Sequence, residues 1–253
     1  MSDPLLIPDR HELKFIIPEH QVDSVRAAIR PFCDLDHHCQ TAPDHQYVIE
    51  SLYLDTPRRD LYRVSRERRA SRFKLRVRRY GTKSDRVFFE VKNKDRGMIR
   101  KLRAKVPVEG WADRLEGAYA QDAGAAEVDF RARTDRYLLR PTVLVRYERE
   151  AYVSLVDDYA RVTFDRRVVC QPHETFDFEA DPSSWRSIDH GLALKRVRAG
   201  VVLELEVHRR RPALDDPPGR VPGPEADGRL QVLQRRREHL GPVVGVALCV
   251  RAR

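Results

Sequence analysis

The segment Phe73-Lys74-Leu75-Arg76-Val77-Arg78-Arg79-Tyr80 alternates apolar and cationic side chains at every second position. In an extended strand, residues two apart project to the same side. Lys74, Arg76 and Arg78 therefore share one face, while Phe73, Leu75 and Val77 share the other. Like charges in a row on a strand repel one another, and a multiply negative ligand relieves that repulsion. Arginine offers a planar fork of donors to phosphate oxygens, and lysine offers a compact charge. The chemistry that suits such a row is the binding of a polyanion: nucleic acid, a phosphorylated small molecule, an inorganic phosphate chain or an anionic membrane surface.

The pattern recurs along the chain. Arg10, Glu12 and Lys14 share a face in RHELKFII, Glu90, Lys92 and Lys94 in FFEVKNK, and Lys101, Arg103 and Lys105 in RKLRAKVP. Arg161, Thr163 and Asp165 do so in ARVTFD, and Glu204, Glu206 and His208 in LELEVH. Tyr147 and Arg149 stand two apart in RYERE. The solvated face of a sandwich explains any one of these strands. Their repetition points instead to a barrel with charges lining its lumen and apolar faces packed outward. A lumen crowded with Lys and Arg is unfavourable without counter-charge. The expected guest is a triphosphate or phosphate chain, with a divalent cation held by the acids.

The elements that must position these faces follow from periodicity and turn signals. Strands are expected at 10–17, 47–54, 71–80, 86–94, 98–107, 142–154, 160–169 and 201–208, with the middle three forming an antiparallel meander. Helical spacing of Val22, Val25, Ala28 and Ile29 predicts a helix over 19–31. Residues 108–139 also read as helical, with Trp111, Leu115 and Tyr119 on one stripe and a second helix near 125–138. Residues 171–200 form a polar connection. The fold class is thus α+β: an antiparallel eight-stranded β-barrel tunnel with a charged lumen and helices packed outside.

Composition sets the bounds. The chain has 253 residues, 41% hydrophobic and 34% charged, with a formal net charge of +9, which describes a soluble globular protein suited to a polyanionic partner. Cys33, Cys39, Cys170 and Cys249 lack the paired spacing of a zinc site and read as reduced thiols of a cytoplasmic protein. The start lacks the pattern of a signal peptide, and no apolar run is long enough for a membrane span. Nucleic acid is not expected as a partner, because Tyr80, Phe88 and Phe89 form no repeated exposed aromatic arrangement. His37, His38, His45 and His208 fit no common ligand motif and read as surface or loop residues, and Trp111 and Trp185 as packing residues.

In order along the chain, RHELKF, SLYLDT, FKLRVRRY, FFEVKNK, VRYEREAY, RVTFD and LELEV resemble the catalytic domain of the VTC-type polyphosphate polymerases, which have the triphosphate tunnel metalloenzyme fold. The resemblance runs from about Arg10 to Glu206. It implies a tunnel in which the γ-phosphate of ATP passes to a growing polyphosphate chain, so ATP and inorganic polyphosphate are the implied partners. It matches Lys14, Arg76, Arg78, Lys92, Arg149 and Arg161 to phosphate-binding basic residues. Arg76, Arg78, Lys92, Arg149 and Arg161 are the expected catalytic set. Lys14, Arg10, Lys74, Lys101 and Tyr147 are the expected phosphate- or nucleotide-binding set, with Arg103 the alternative to Lys101 as the match to a further tunnel lysine. Glu206, with Glu204, would hold Mn²⁺ or Mg²⁺. Relatives with such domains can be attached to membrane assemblies, so a membrane-protein partner is compatible with a chain that carries no anchor of its own.

Two departures matter. Triphosphatases on the same fold resemble one another in opening with Glu-x-Glu-x-Lys. Here Arg10 replaces the first Glu, which favours the polymerase type while leaving a hydrolase, or a non-catalytic polyanion-binding module, as alternatives. After Glu206 the expected Lys is His208, and residues 209–253 form an Arg/Pro/Gly-rich tail with little periodicity. The domain is accordingly drawn at 1–208. A frameshift near the Val207 codon accounts for the tail, as does a genuine basic extension.

Overall fold

The computed structural model describes residues 10–96, 98–155, 160–189 and 200–208. In chain order its strands are β1 (Arg10–Ile17), β2 (Cys33–Leu35), β3 (Tyr47–Asp55), β4 (Arg72–Tyr80), β5 (Arg86–Asp95), β6 (Met98–Pro107), β7 (Arg140–Ser154), β8 (Ala160–Pro172), β9 (Arg186–Ser187) and β10 (Val201–His208). Eight of them lie on one antiparallel path in the order β1-β10-β8-β7-β3-β4-β5-β6, while β2 pairs with β7 and β9 with β8. The eight expected strands are these eight. Gly81 turns the chain between β4 and β5 at φ +75°, where a side chain would be strained.

The sheet is rolled, so that its two end strands approach across the inside. Among the described residues no backbone ladder joins β1 to β6. Side chains span the gap instead: Lys92 Nζ donates to Glu12 Oε2 at 2.5 Å and Lys101 Nζ to Glu206 Oε1 at 2.7 Å. Long twisted sheets curl in this way because each strand is rotated against its neighbour.

Alternation then decides what faces where, and two large apolar clusters face out. On one flank, Leu52, Leu75, Val77, Val87, Phe89 and Val91 pack against Trp111, Leu115, Phe178 and Phe130, the last from helix α4 (Ala125–Arg136). On the other, Phe15, Ile17, Val162, Phe164, Leu203 and Leu205 pack against Val22 and Ile29 of helix α1 (Val22–Ile29). The fold therefore carries two cores outside its barrel wall, with the helices over them, as expected, while a third cluster around Ile49, Val143, Val145 and Tyr147 lies on the inward faces of β3 and β7.

Some local expectations fail for identifiable reasons. Residues 108–124 form no long helix, only a short 3₁₀ turn at Asp113–Leu115. Gly110 and Gly117 adopt φ +65° and +63°, outside the helical region, though Trp111 and Leu115 are still buried. Two short helices escape periodicity altogether. Helix α2 (His37–Thr41) is capped by Asp36, whose side chain accepts from Cys39 N at 2.9 Å. Helix α3 (Asp60–Arg66) begins where the Asp55 carboxylate accepts from Leu61 N and Tyr62 N at 2.9 and 2.8 Å, so the Asp55-Thr56-Pro57 turn also starts a helix. Cys33 and Cys39 are free and buried, but Cys170 is disulfide-bonded, which corrects the expectation of four reduced thiols. The tail 209–253 lies outside the described residues.

Candidate functional site

Pairing of β1 with β10 sets Glu12 opposite Glu206 and Lys14 opposite Glu204. The result is a cluster of three carboxylates, Glu12, Glu204 and Glu206, whose nearest oxygens lie within 4.8 Å of one another. Lysines from three strands answer them. Lys14 Nζ lies 3.0 Å from Glu204 and 3.3 Å from Glu12, and Lys92 and Lys101 reach in from β5 and β6. Burial alone would raise the Glu204 carboxyl, but Lys14 and Arg149 hold it well below the usual carboxylate range.

A second cluster gathers on Glu90. Arg76 Nε donates to it at 2.6 Å, Arg103 Nε stands 3.3 Å away and Arg78 Nε 3.8 Å. Arg76 Nη1 also donates to the Tyr53 hydroxyl at 3.0 Å, and Arg78 Nη2 to the Tyr147 hydroxyl at 3.1 Å. Arg149 forks onto Asp165 at 2.6 and 2.7 Å, and Arg161 Nη2 donates to Asp36 at 2.9 Å. Beside these groups the inward face is apolar on the β3–β7 side, where Ile49, Val143, Val145 and Tyr147 pack with Cys170 and Ile188. A low-dielectric backing strengthens every charge interaction in front of it.

Cationic capacity remains unspent. Lys74 has no ion pair among the described residues, and burial together with Arg76, Lys14 and Arg72 pushes its ammonium pKa down. Arg161 Nε and Thr163 Oγ1 are buried without a hydrogen-bond partner. Buried donors left unsatisfied in this way are costly, and an anionic ligand satisfies them. Replacing Lys74 with Gln is therefore expected to raise the Tm of the ligand-free protein by about 2–4 °C while weakening tripolyphosphate binding. Calorimetry of the parent protein and of Lys74→Gln, each with and without tripolyphosphate, checks this, and a lower Tm in the ligand-free variant counts against it.

Tyr53 reports the same field. Burial would raise its phenol, yet Arg76, Arg78 and Lys74 outweigh that and bring it down to about 8. An absorbance titration is expected to show one tyrosine ionising near that value, missing from Tyr53→Phe. Bound tripolyphosphate neutralises the cations that favour the phenolate, so it is expected to move the transition to higher pH. An unmoved transition would show that the anion binds elsewhere.

Lys14, Lys74, Arg76, Arg78, Lys92, Lys101, Arg149, Arg161, Tyr147, Glu204 and Glu206 all belong to the inward faces of their strands. Arg10 stands on β1 opposite His208, and the side chains of both lie outside the described ones. The sequence reading did not assign Glu12, Glu90 or Asp165 to the site, and offered Arg103 only as the alternative to Lys101. Glu12 and Glu90 shared the charged faces that were noticed, but their nearness to the other acids and to Arg103 depends on strand pairing. The donor set fits a hard divalent cation such as Mn²⁺ or Mg²⁺: three carboxylates converge, and the unpartnered Thr163 hydroxyl lies on the strand residue paired with Glu204.

A rolled antiparallel sheet with inward cations and, among the described residues, a cluster of three carboxylates is a tunnel fold. The chain belongs to the VTC domain family, whose model matches residues 9–216. That match runs past the boundary drawn at residue 208. Among solved structures, a candidate adenylate cyclase from Bacillus halodurans is similar with TM-score 0.49 and 10% identity, over 93% of this chain and 94% of that one. A candidate adenylate cyclase from Vibrio parahaemolyticus gives 0.46 and 12%, over 95% and 98%. A candidate adenylyl cyclase from Hippeastrum, described as having a dominant triphosphatase activity, gives 0.41 and 12%, over 95% and 94%. No curated protein matches the chain. Among the described residues, no helix is long and apolar enough to cross a membrane.

Proposed function

We propose that this domain is a polyphosphate polymerase-like phosphotransferase, moving the γ-phosphate of ATP onto a polyphosphate chain inside the basic tunnel. The observation that carries the reading is the convergence of Arg76, Arg78 and Arg103 on one side and Lys14, Lys92 and Lys101 on the other, beside the Glu12–Glu204–Glu206 cluster. Family membership supports it.

In this mechanism Arg76 and Arg78 grip the transferring phosphoryl group, and their fork geometry follows its equatorial oxygens as charge shifts. Arg149, locked by Asp165, and Arg161 hold the neighbouring phosphates in line. Tyr147 is kept beside Arg78 by their hydrogen bond and limits how the nucleotide sits. Lys14, Lys92 and Lys101 can turn from the acids to the incoming chain, since ammonium groups on long stems reorient readily. A divalent cation on Glu204 and Glu206, with Glu12, would withdraw charge from phosphate oxygens. A terminal oxygen of the acceptor chain attacks the γ-phosphorus, one P–O bond forms and the bond to ADP breaks. No protein nucleophile takes part.

The deciding assay mixes the protein with ATP, Mn²⁺ and a short polyphosphate primer. Lengthened polymer with stoichiometric ADP supports the proposal. Free phosphate alone assigns a triphosphatase, and no turnover with retained tripolyphosphate binding assigns a binding module.

A further inference from the structure

We propose that the loop after helix α3 and the β5–β6 turn beside it form a landing strip outside the tunnel for a phosphate chain, so that long chains are gripped by the rim as well as by the lumen. This rests on the tunnel reading above and adds a surface beyond it.

The inward row of β4 does not stop at Lys74. Arg72 lies two residues further out on the same face, opposite Lys94 of β5 as Lys74 is opposite Lys92. Arg72 is also one of the cations that act on the Lys74 ammonium. Its Nη1 donates to the carbonyl of Arg69, so the side chain turns from the lumen onto the rim. There the chain reads Glu67-Arg68-Arg69-Ala70-Ser71, and all five residues are exposed. The β5–β6 turn is tied alongside: Arg96 N donates to Ala70 O at 3.1 Å, and the Ser71 hydroxyl donates to Asp95. Cations thus lead from Arg76 and Lys74 through Arg72 and Lys94 to Arg68, Arg69 and Arg96.

The acids on this rim are already engaged. Asp60 lies 3.2 Å from Arg63, Glu67 lies 2.7 Å from Arg69, and Asp95 accepts from Ser71. Arg66, Arg68, Lys94 and Arg96 have no ion pair among the described residues. Cations gathered in this way repel, and a polyanion laid across them removes the repulsion. Arg68 and Arg96 also stand at φ 55° and 44°, backbone that glycine adopts freely and other residues at a cost. Glycine would sit at either position with less strain, yet both carry a guanidinium. A thin, flexible chain with charge on every unit can follow the whole path. A duplex or a membrane surface can meet the rim but cannot follow the row inward past Arg72.

The test uses the full chain and two ligands: inorganic tripolyphosphate, and an inorganic polyphosphate several times longer than the tunnel. The double substitution Arg68→Gly, Arg96→Gly removes two charges and relaxes the backbone at both sites, so it should leave the protein folded. It is expected to bind the long chain about three- to tenfold more weakly than the parent protein, with tripolyphosphate affinity unchanged. Its affinity for the long chain is also expected to fall less steeply with salt, by a slope of about 1–2. Long-chain affinity within twofold of the parent, or an equal loss for tripolyphosphate, overturns the strip and leaves the tunnel reading intact. Single-stranded RNA or anionic vesicles bound as tightly as the long chain, and weakened as much by the substitutions, overturn it too and make the rim a general polyanion surface. Failure of the parent protein to bind either phosphate ligand overturns both readings.

Discussion

Arg76→Ala is expected to lower kcat for ATP-dependent phosphoryl transfer by about 100- to 1,000-fold, the usual cost of removing one preorganised donor from a charge-stabilising site. Arg76 is placed for a large effect. It sits between Glu90 and Tyr53, held at 2.6 and 3.0 Å, so its orientation is fixed before any ligand arrives. Its removal should leave the fold intact, because Glu90 keeps Arg103 at 3.3 Å and Arg78 at 3.8 Å as counter-charges. Arg76→Lys keeps the charge but loses the planar fork, and should fall between the two. Steady-state turnover with a polyphosphate primer, together with thermal denaturation of each variant, checks the set. Activity within threefold of the parent protein would remove Arg76 from the site.

Phe89→Ala is expected to cost about 3–5 kcal/mol of stability, through lost transfer energy and the cavity left behind. Phe89 is fully buried, stacked on Phe130 at 4.7 Å and edge-on to Trp111 at 6.2 Å. It is one residue from Glu90 and points the other way. If the outward face holds the fold together and the inward face does the work, neighbouring positions must differ sharply. Phe89→Ala should unfold at much lower urea with little change in kcat while folded, and Arg76→Ala should show the reverse. A loss below about 1 kcal/mol in Phe89→Ala would mean that the outer cluster is not the main core.

How much of this was legible in the sequence depended on distance along the chain. Period-two alternation located the strands, and with them the inward row Lys74, Arg76 and Arg78, because strand geometry is local. It did not distinguish inward charges from outward ones. Glu50 looked like any strand acid, yet it is wholly buried on the outer side between Arg79 and Arg146, whose guanidiniums lie over Phe178 and Trp185. Arg166 likewise faces out, toward Glu150 and Glu19. The carboxylate cluster was half visible: Glu204 and Glu206 share a strand, but Glu12 joins them only through the β1–β10 register. At 108–124 the glycines were there to be read and were outweighed by the Trp111–Leu115 spacing.

Among the described residues, the lack of a ladder between β1 and β6 has a mechanical consequence. Each half of the wall is anchored to its own oily flank, and among the described residues the two are bridged by Lys92–Glu12, Lys101–Glu12 and Lys101–Glu206, contacts between charges that ions in solution can compete for. The join behaves as a clasp and not as a weld. Brine should slacken it while leaving both flanks standing, so that the wall opens along its length at this seam before either flank gives way.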